Sequence, residues 1–453
     1  MILTPEQMAQ ATGGRLVRGG GAGRLLTDTR KLAAGDWFLA LRGDRFDGHD
    51  YLEEAIRRGA VGVIVEQAPQ GWTHGLLLVK DTLVALQDCA RFARSLLSCP
   101  VVAITGSAGK TTTRAMVAEV LAALGPVHQN EANLNNQIGV PLTLLATPEG
   151  VAAVVLEMGM RGPNQIALLQ DIGRPTVRII TNVGPAHVET VGSIEGIARC
   201  KQEMFDGARP GDVVLVCEDD PFVRAMPVPV GARVLRYGSS KGCDIQLIAS
   251  RVDGRAFTTE LSVETPAGPL HTTLGVPGQY LALNATAAVA AGFALGVAPE
   301  AMAAGLARYA PVGQRMRVER RKDLTILHDY YNANPASMRA ALETLACAVG
   351  VRRVALLGDM LELGTVEEAG HAEIATLAGQ LGLELVGLAG PRFAPHAAAC
   401  RAAGAGEVVV ASSSGELGAM IREKVVPGDV VLIKGSRGSR MEQVLHSLDG
   451  AES

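Results

Sequence analysis

Gly106 and Gly109 enclose Ser107 and Ala108 in "TGSAGKTTT", and Lys110 follows with three threonines behind it. Two glycines permit a tight strand-to-helix turn whose backbone N–H groups face an anion, and the helix adds its N-terminal dipole. In such a turn Lys110 reaches the β- and γ-phosphates of a nucleotide and the Thr111 hydroxyl binds Mg²⁺. The longer GxxxxGK[ST] pattern would want glycine where Ile104 stands, so the loop is the shorter GxxGKT. The bland alternative is a glycine turn followed by a surface lysine.

Three residues downstream could complete such chemistry. Glu157 ends the apolar run "VAAVVLE", where nucleotide-binding sheets place an acid that holds Mg²⁺, although a carboxylate after a strand is also an ordinary solvated loop residue. His187 lies in "TNVGPAHVETVGS", just past the next strand at the same sheet edge. A single histidine there is either a ligand or a polar packing residue. In "SIEGIARCKQEMF" Ser193 can cap a helix whose apolar stripe is Ile194, Ile197, Ala198 and Phe205. Lys201 falls on that stripe, so its amine either snorkels to water or is desolvated, with a lowered pKa suited to covalent chemistry.

The elements that must position these residues are legible as well. Val101–Ile104 is strand-like, and Met116, Val117, Val120, Leu121 and Leu124 form one helical stripe stopped by Gly125-Pro126. Further strand-like runs at 61–65, 76–79, 151–156, 177–180, 213–216, 354–357 and 430–433 alternate with Ala/Leu-rich helical stretches, which predicts α/β domains with mainly parallel sheets. Spacing changes near Ser98–Pro100 and near Tyr309–Gly313 suggest domains over 1–98, 99–310 and 311–453. Between Leu235 and Leu274 the Thr-rich alternation predicts antiparallel hairpins, and Leu281–Ala298 reads as one buried helix.

Composition narrows the partners. At 453 residues, with about 150 per domain, three cores are expected. A net charge of -4 provides no polybasic field for nucleic acid or an anionic membrane, so the expected partner is a small molecule held by a local site. Seven scattered cysteines without CxxC spacing argue against a disulfide framework or a zinc site. "MILTPEQMAQ" has neither a basic nor an apolar signal region, so a cytoplasmic protein is expected.

In order along the chain, "TGSAGKTTT", "LEMGM", "NVGPAHVETVGSIEGIARCKQEMF" and "DYYNANPASMRAAL" resemble the motifs of the Mur ligase family, the ATP-dependent amide ligases of peptidoglycan synthesis. "NLNNQIGVPLTLL", "LLGDMLELG" and "KGSRGSRME" are similar to the branch that joins D-Ala-D-Ala to UDP-MurNAc-tripeptide. "TDTRKLAAGDWFLALRGDRFDGHDYLEEAIRRGAVGVIV" resembles the uridine-binding domain of that branch and of the branch that adds the third amino acid. The latter's "DNPR" is missing, and a folylpolyglutamate synthase would leave the N-terminal domain unexplained. A P-loop switch protein without ligase activity remains a further alternative.

The resemblance implies a small N-terminal α/β domain for the UDP-substrate, a central ATP-binding domain with a P-loop-type sheet, and a Rossmann-like C-terminal ligase domain. It also implies ATP at Gly106, Ser107, Ala108, Gly109, Lys110, Thr111 and Thr112, with Asn284, Arg315 and Asp329 toward adenosine and phosphates. Thr111, Glu157, His187 and a carbamylated Lys201 would surround Mg²⁺, with Lys110, Lys201 and His187 as the catalytic set. Thr29, Arg30, Asp47, Gly48 and His49 would face the UDP group, although Thr27–Arg30 could equally be a turn and a surface pair. Asn135, Asn136, Asn332 and Asn334 would line the cleft where the two peptides meet. A monomer is expected. Ala132 stands where the family usually has glycine, and Cys217 where it usually has asparagine.

Overall fold

The computed structural model describes residues 1–43, 46–185, 188–321 and 323–448. Its backbone is organised by three large sheets. The central one has nine strands, and its parallel part runs Val127–Gln129, Ala153–Glu157, Val101–Thr105, Val177–Ile180, Val213–Cys217, Arg233–Gly238 and Ile245–Asp253 in spatial order. The strands 101–105, 153–157, 177–180 and 213–217 are buried at every residue, as their unbroken Val/Ile/Leu runs require when helices cover both faces. Thr258–Thr265 and Gly268–Leu274 complete the sheet as antiparallel strands.

Two expectations need correction here. Arg233–Gly238 pairs parallel to both neighbours, so the hairpins begin only at Ile245; its apolar alternation did not reveal the direction of pairing. The buried helix is Gln279–Ala294, ending at Leu295 before Gly296, which has φ 80°, and a second helix starts at Pro299. A left-handed glycine followed by proline ends a helix even where every residue is apolar.

The N-terminal sheet orders Arg15–Arg18, Gly75–Leu78, Gly62–Val65, Trp37–Leu39 and Leu25–Leu26, with only the first strand antiparallel. The helix Thr82–Ser95 packs on this unit and on the central helices Gly139–Leu145 and Gln165–Gly173, so one apolar cluster runs from Leu3 through Trp37 and Leu86 into Val102. The C-terminal sheet orders Arg317–Arg321, Leu324–Asp329, Val430–Lys434, Arg353–Gly358, Leu385–Ala389 and Glu407–Ala411, again with only the first strand antiparallel. It has a core of its own on each face. A turn of the central unit reaches into that core, and Tyr280 packs against it. Phe257, at φ 59° in the turn after Ile245–Asp253, packs with Met316, Leu327 and Leu345, and the Val349 N–H donates to Gly254 O at 3.0 Å.

Candidate active site

The strand Val101–Thr105 lies between Ala153–Glu157 and Val177–Ile180, with Glu157 opposite Ile104 and Ile180 opposite Thr105. The chain leaves this strand toward one side of the sheet and later returns to fill the other, so a crevice opens at its carboxyl end. Gly106–Gly109 occupies that crevice and the helix Lys110–Leu121 begins there. Asn182 holds the loop by accepting from the Ala108 N–H at 2.9 Å through Oδ1 and from the Ser107 N–H at 3.0 Å through its carbonyl. A Cβ on Gly106 would lie 1.9 Å from Thr181 Oγ1, so any other residue there would push the loop off the strand. Asn284 Oδ1 lies 2.7 Å from where a Cβ of Gly109 would sit, which brings the central helix against the loop. Near Thr112 lies Tyr309, whose phenol is pushed up to about 12 by burial.

The Lys110 amine folds back to donate to Gly106 O at 2.7 Å. Burial lowers its pKa, the nearby Glu157 opposes this, and Arg315 adds to it. Glu157 is the hub of the adjoining cluster. Its Oε2 accepts from Thr111 Oγ1 at 2.7 Å and its Oε1 from Asn135 Nδ2 at 2.7 Å, while its backbone N–H donates to Asn130 Oδ1 at 2.6 Å. Glu157 is only 3% exposed, which removes the solvated-loop alternative. Arg114 is equally buried with Nη1 3.8 Å from Glu157 Oε2, and its Nε and Nη1 have no hydrogen-bond partner among the described residues. A helical spacing of four from Lys110 puts Arg114 on the same face, a signal present in the sequence but carried by no motif.

Thr111 and Glu157 offer two hard oxygens side by side. Among the described residues no three His, Cys, Asp or Glu side chains converge, and this pair could supply part of the ligand set of Mg²⁺, with nucleotide oxygens among the rest. That suits an ion that prefers one or two carboxylates plus phosphates. His187 lies outside the described residues. Ser193 caps the helix Ile194–Asp206 by accepting from the Gly196 N–H at 3.1 Å. Lys201 on that helix is 2% exposed and makes no hydrogen bond or ion pair among the described residues, so it does not snorkel to water. Burial, and then the Lys110 charge, hold its pKa well below the usual lysine value.

The C-terminal sheet contributes a second buried group. Lys434 Nζ pairs with Asp329 Oδ2 at 2.7 Å, both at the carboxyl ends of paired parallel strands. Burial raises the Asp329 pKa, and Lys434 opposes that. Arg315 stacks on the Tyr331 ring at 3.8 Å. The four asparagines differ in what they do. Asn135 reaches Glu157, and Asn136 Oδ1 accepts from the N–H groups of Ile138 and Gly139. Asn334 caps the helix Pro335–Ala346 and Asn332 is exposed, its carbonyl accepting from Lys434. Ala132 takes φ 46°, the left-handed conformation that glycine would adopt there without steric cost.

In the N-terminal sheet unit Thr29 and Arg30 form a single helical turn, Thr29–Lys31, capped by Asp28. The Arg30 side chain is 82% exposed and paired with Asp28 at 2.9 Å. Asp47 caps Gly48–Tyr51 and accepts from both the His49 N–H and its ring, while His49 Nε2 accepts from the Glu66 N–H at 3.2 Å. The His49 N–H, then Arg42, hold the Asp47 carboxyl well below the usual range.

A nucleotide-binding α/β enzyme, with its phosphate loop in the central sheet, is the class that these features define. Its chain belongs to the Mur ligase family, matching the Mur ligase middle domain over residues 104–292, the Mur ligase glutamate ligase domain over 314–437 and the Mur ligase family catalytic domain over 24–91. It is 35% identical to the UDP-N-acetylmuramoyl-tripeptide–D-alanyl-D-alanine ligase of Bacillus subtilis over 433 residues, covering 93% of this chain and 92% of that one. The crystal structure of MurF from Acinetobacter baumannii superposes with a TM-score of 0.90 at 30% identity, covering 99% of both chains. MurF from Thermotoga maritima in complex with ADP gives 0.83 at 29% identity, covering 94% of this chain and 97% of that one.

Proposed function

We infer that this chain is the ATP-dependent ligase that joins D-Ala-D-Ala to UDP-MurNAc-tripeptide in peptidoglycan precursor synthesis. The observation that carries this is an identity of 35% to an enzyme of that activity, extending over 93% of the chain and so through all three sheets. The tripeptide carboxylate takes the γ-phosphoryl group of ATP, becoming an acyl phosphate. The dipeptide amine attacks the acyl carbon, the bond from that carbon to the phosphate oxygen breaks, and phosphate leaves with its electron pair. Two anions meet in the first step, so cationic and N–H groups must oppose their charge.

In this proposal Gly106–Thr112 cradles the phosphates, with Lys110 swinging from Gly106 O onto them, and Asn284, Arg315 and Asp329 complete the nucleotide site. Thr111 and Glu157 would hold Mg²⁺ with His187 and a carbamylated Lys201, and the ion, when bound, neutralises charge on the transferred group. Asn135, Asn136, Asn332 and Asn334 are assigned to the peptide cleft, the last two through their loop, since Asn334 Oδ1 is occupied as a cap. Residues 1–98, 99–310 and 311–453 serve as substrate, ATP and ligase domains, a division supported by one large sheet in each. Closure of the third over ATP would keep water from the acyl phosphate. The enzyme would act as a monomer in the cytoplasm, a compartment that seven free thiols suit.

Phosphate release should require UDP-MurNAc-tripeptide and rise further with D-Ala-D-Ala. Equal release from ATP alone would defeat the ligase assignment. Thr29, Arg30, Asp47, Gly48 and His49 are placed toward the UDP group. Arg30→Ala should therefore weaken UDP-substrate binding by about tenfold or more in calorimetry, as for a lost hydrogen bond to a charged group. An unchanged affinity would leave Arg30 as the surface partner of Asp28.

A further inference from the structure

The amino end of the central sheet lies opposite the phosphate loop, about 15 Å away along the strand Val101–Thr105. An open cavity of about 320 Å³ is found there, with Arg94, Gln170, Arg174, Arg178, Arg209 and Asp212 in its lining. Three helices end around it. Arg94, near the end of the helix Thr82–Ser95, donates to Leu97 O at 3.1 Å, and to Gly173 O at 2.9 Å and Arg174 O at 3.0 Å where the helix Gln165–Gly173 stops. Arg178, in the strand Val177–Ile180, donates to Gly207 O at 2.7 Å and Met204 O at 3.4 Å at the end of the helix Ile194–Asp206, which carries Lys201.

These two guanidiniums form a fixed floor. Neutral carbonyls satisfy their N–H groups without cancelling their charge, and about half a negative charge at each helix end still leaves the cavity positive. Asp212 is the one carboxylate in the lining, and its Oδ2 already accepts from Arg178 Nη2 at 3.0 Å and from the Arg209 N–H at 2.9 Å. Arg178 is buried, yet its Nε has no hydrogen-bond partner among the described residues. Above the floor, the Arg174 and Arg209 side chains are exposed and make no hydrogen bond or ion pair among the described residues. Their charges bear on Arg94, and that of Arg209 also on Arg178. Arg174 holds φ 38°, a left-handed conformation that is costly for an arginine. Like charges are thus gathered with too few protein anions between them.

We propose that this cavity binds a phosphate group, as inorganic phosphate or a phosphate monoester, while the phosphate loop holds its own nucleotide. A tetrahedral oxyanion offers oxygens to donors arriving from several sides, whereas a carboxylate offers two in one plane. Each guanidinium brings a fork of N–H donors that matches it. The volume leaves room for an organic group attached to the phosphate. The site goes beyond the ligase activity and does not depend on it.

The test fills the phosphate loop first. With Mg²⁺ and a non-hydrolysable ATP analogue at saturation, calorimetric titration with inorganic phosphate and with glycerol 3-phosphate should each show saturable binding. Sulfate should compete, and acetate at equal ionic strength should not. Tighter binding of glycerol 3-phosphate assigns the site to a monoester, and equal or weaker binding assigns it to inorganic phosphate. Arg174→Asn combined with Arg209→Gln should weaken both by about tenfold or more, as for lost hydrogen bonds to a charged group. Asparagine tolerates the left-handed backbone and both side chains are exposed, so the melting temperature and the KM for ATP should not change. Absence of binding with the loop filled, competition by acetate as strong as by sulfate, or binding that the double variant retains would overturn the site. The arginines would then be caps on helix ends.

Discussion

Lys110→Ala is expected to abolish ligation, with kcat lowered by about a thousandfold or more, and to leave binding of the UDP-substrate nearly intact. Charge-stabilising cations in phosphoryl transfer contribute on this scale because they oppose charge where water is excluded. The half-buried Lys110 amine has two backbone carbonyls as its hydrogen-bond partners among the described residues, at 2.7 and 3.5 Å, so an arriving phosphate would displace weak neutral acceptors. Alanine keeps the helix but removes the charge. The residues assigned to UDP belong to another sheet. Phosphate release measures the first effect and calorimetry with UDP-MurNAc-tripeptide the second. A variant that ligates normally, or that loses the UDP-substrate instead, would overturn the assignment.

Lys201→Ala is expected to lose most activity, and short carboxylic acids are expected to restore part of it. The Lys201 side chain is buried, unpaired among the described residues, and held toward its neutral form by burial and by Lys110. A cation there would be costly to desolvate and would repel Mg²⁺ near Glu157. The neutral amine can add CO₂, forming an N–C bond and releasing one proton, to give an anionic carbamate with oxygens suited to a hard ion. Labelled bicarbonate should give a carbamate carbon signal in the unaltered protein that Lys201→Ala lacks. Full activity of Lys201→Ala would reduce the lysine to a packed helix residue. Rescue by formate or acetate would be expected only if an anionic ligand position had been vacated.

What could be read in the chain was local. The turn after Val101–Thr105 and the cap at Ser193 follow from adjacent residues, and the stripe that buries Lys201 follows from helical period. Glu157 was identifiable because it ends an unbroken apolar strand, whose register then sets it opposite Ile104 and within reach of Thr111. Arg114 carried no such mark, and Lys434, although it too ends an apolar strand, gave no sign of its partner. Their importance arises from what packs on them: Glu157 comes from a strand 43 positions after Arg114 in the sequence, and Asp329 lies 105 positions before Lys434. Asn334 shows the converse, since its Asn-Pro dipeptide also signals a helix cap and the structure uses it as one. Strand direction at Arg233–Gly238 was illegible for the same reason, because alternation records faces and not partners.

Phe257 also bears on how the third sheet can move. The polypeptide passes once from the central unit to the C-terminal one, between the helix Pro299–Ala307 and the strand Arg317–Arg321. The Phe257 ring, seated in the C-terminal core and reinforced by the bond from Val349 to Gly254, holds the same two bodies at a second place. The turn Gly364–Val366, packed on the helix Val188–Val191, is a further contact between them. A body touched at several separate places cannot tumble freely, so any stroke that carried Lys434 toward the phosphate loop would have to make at least one of these contacts slide or part.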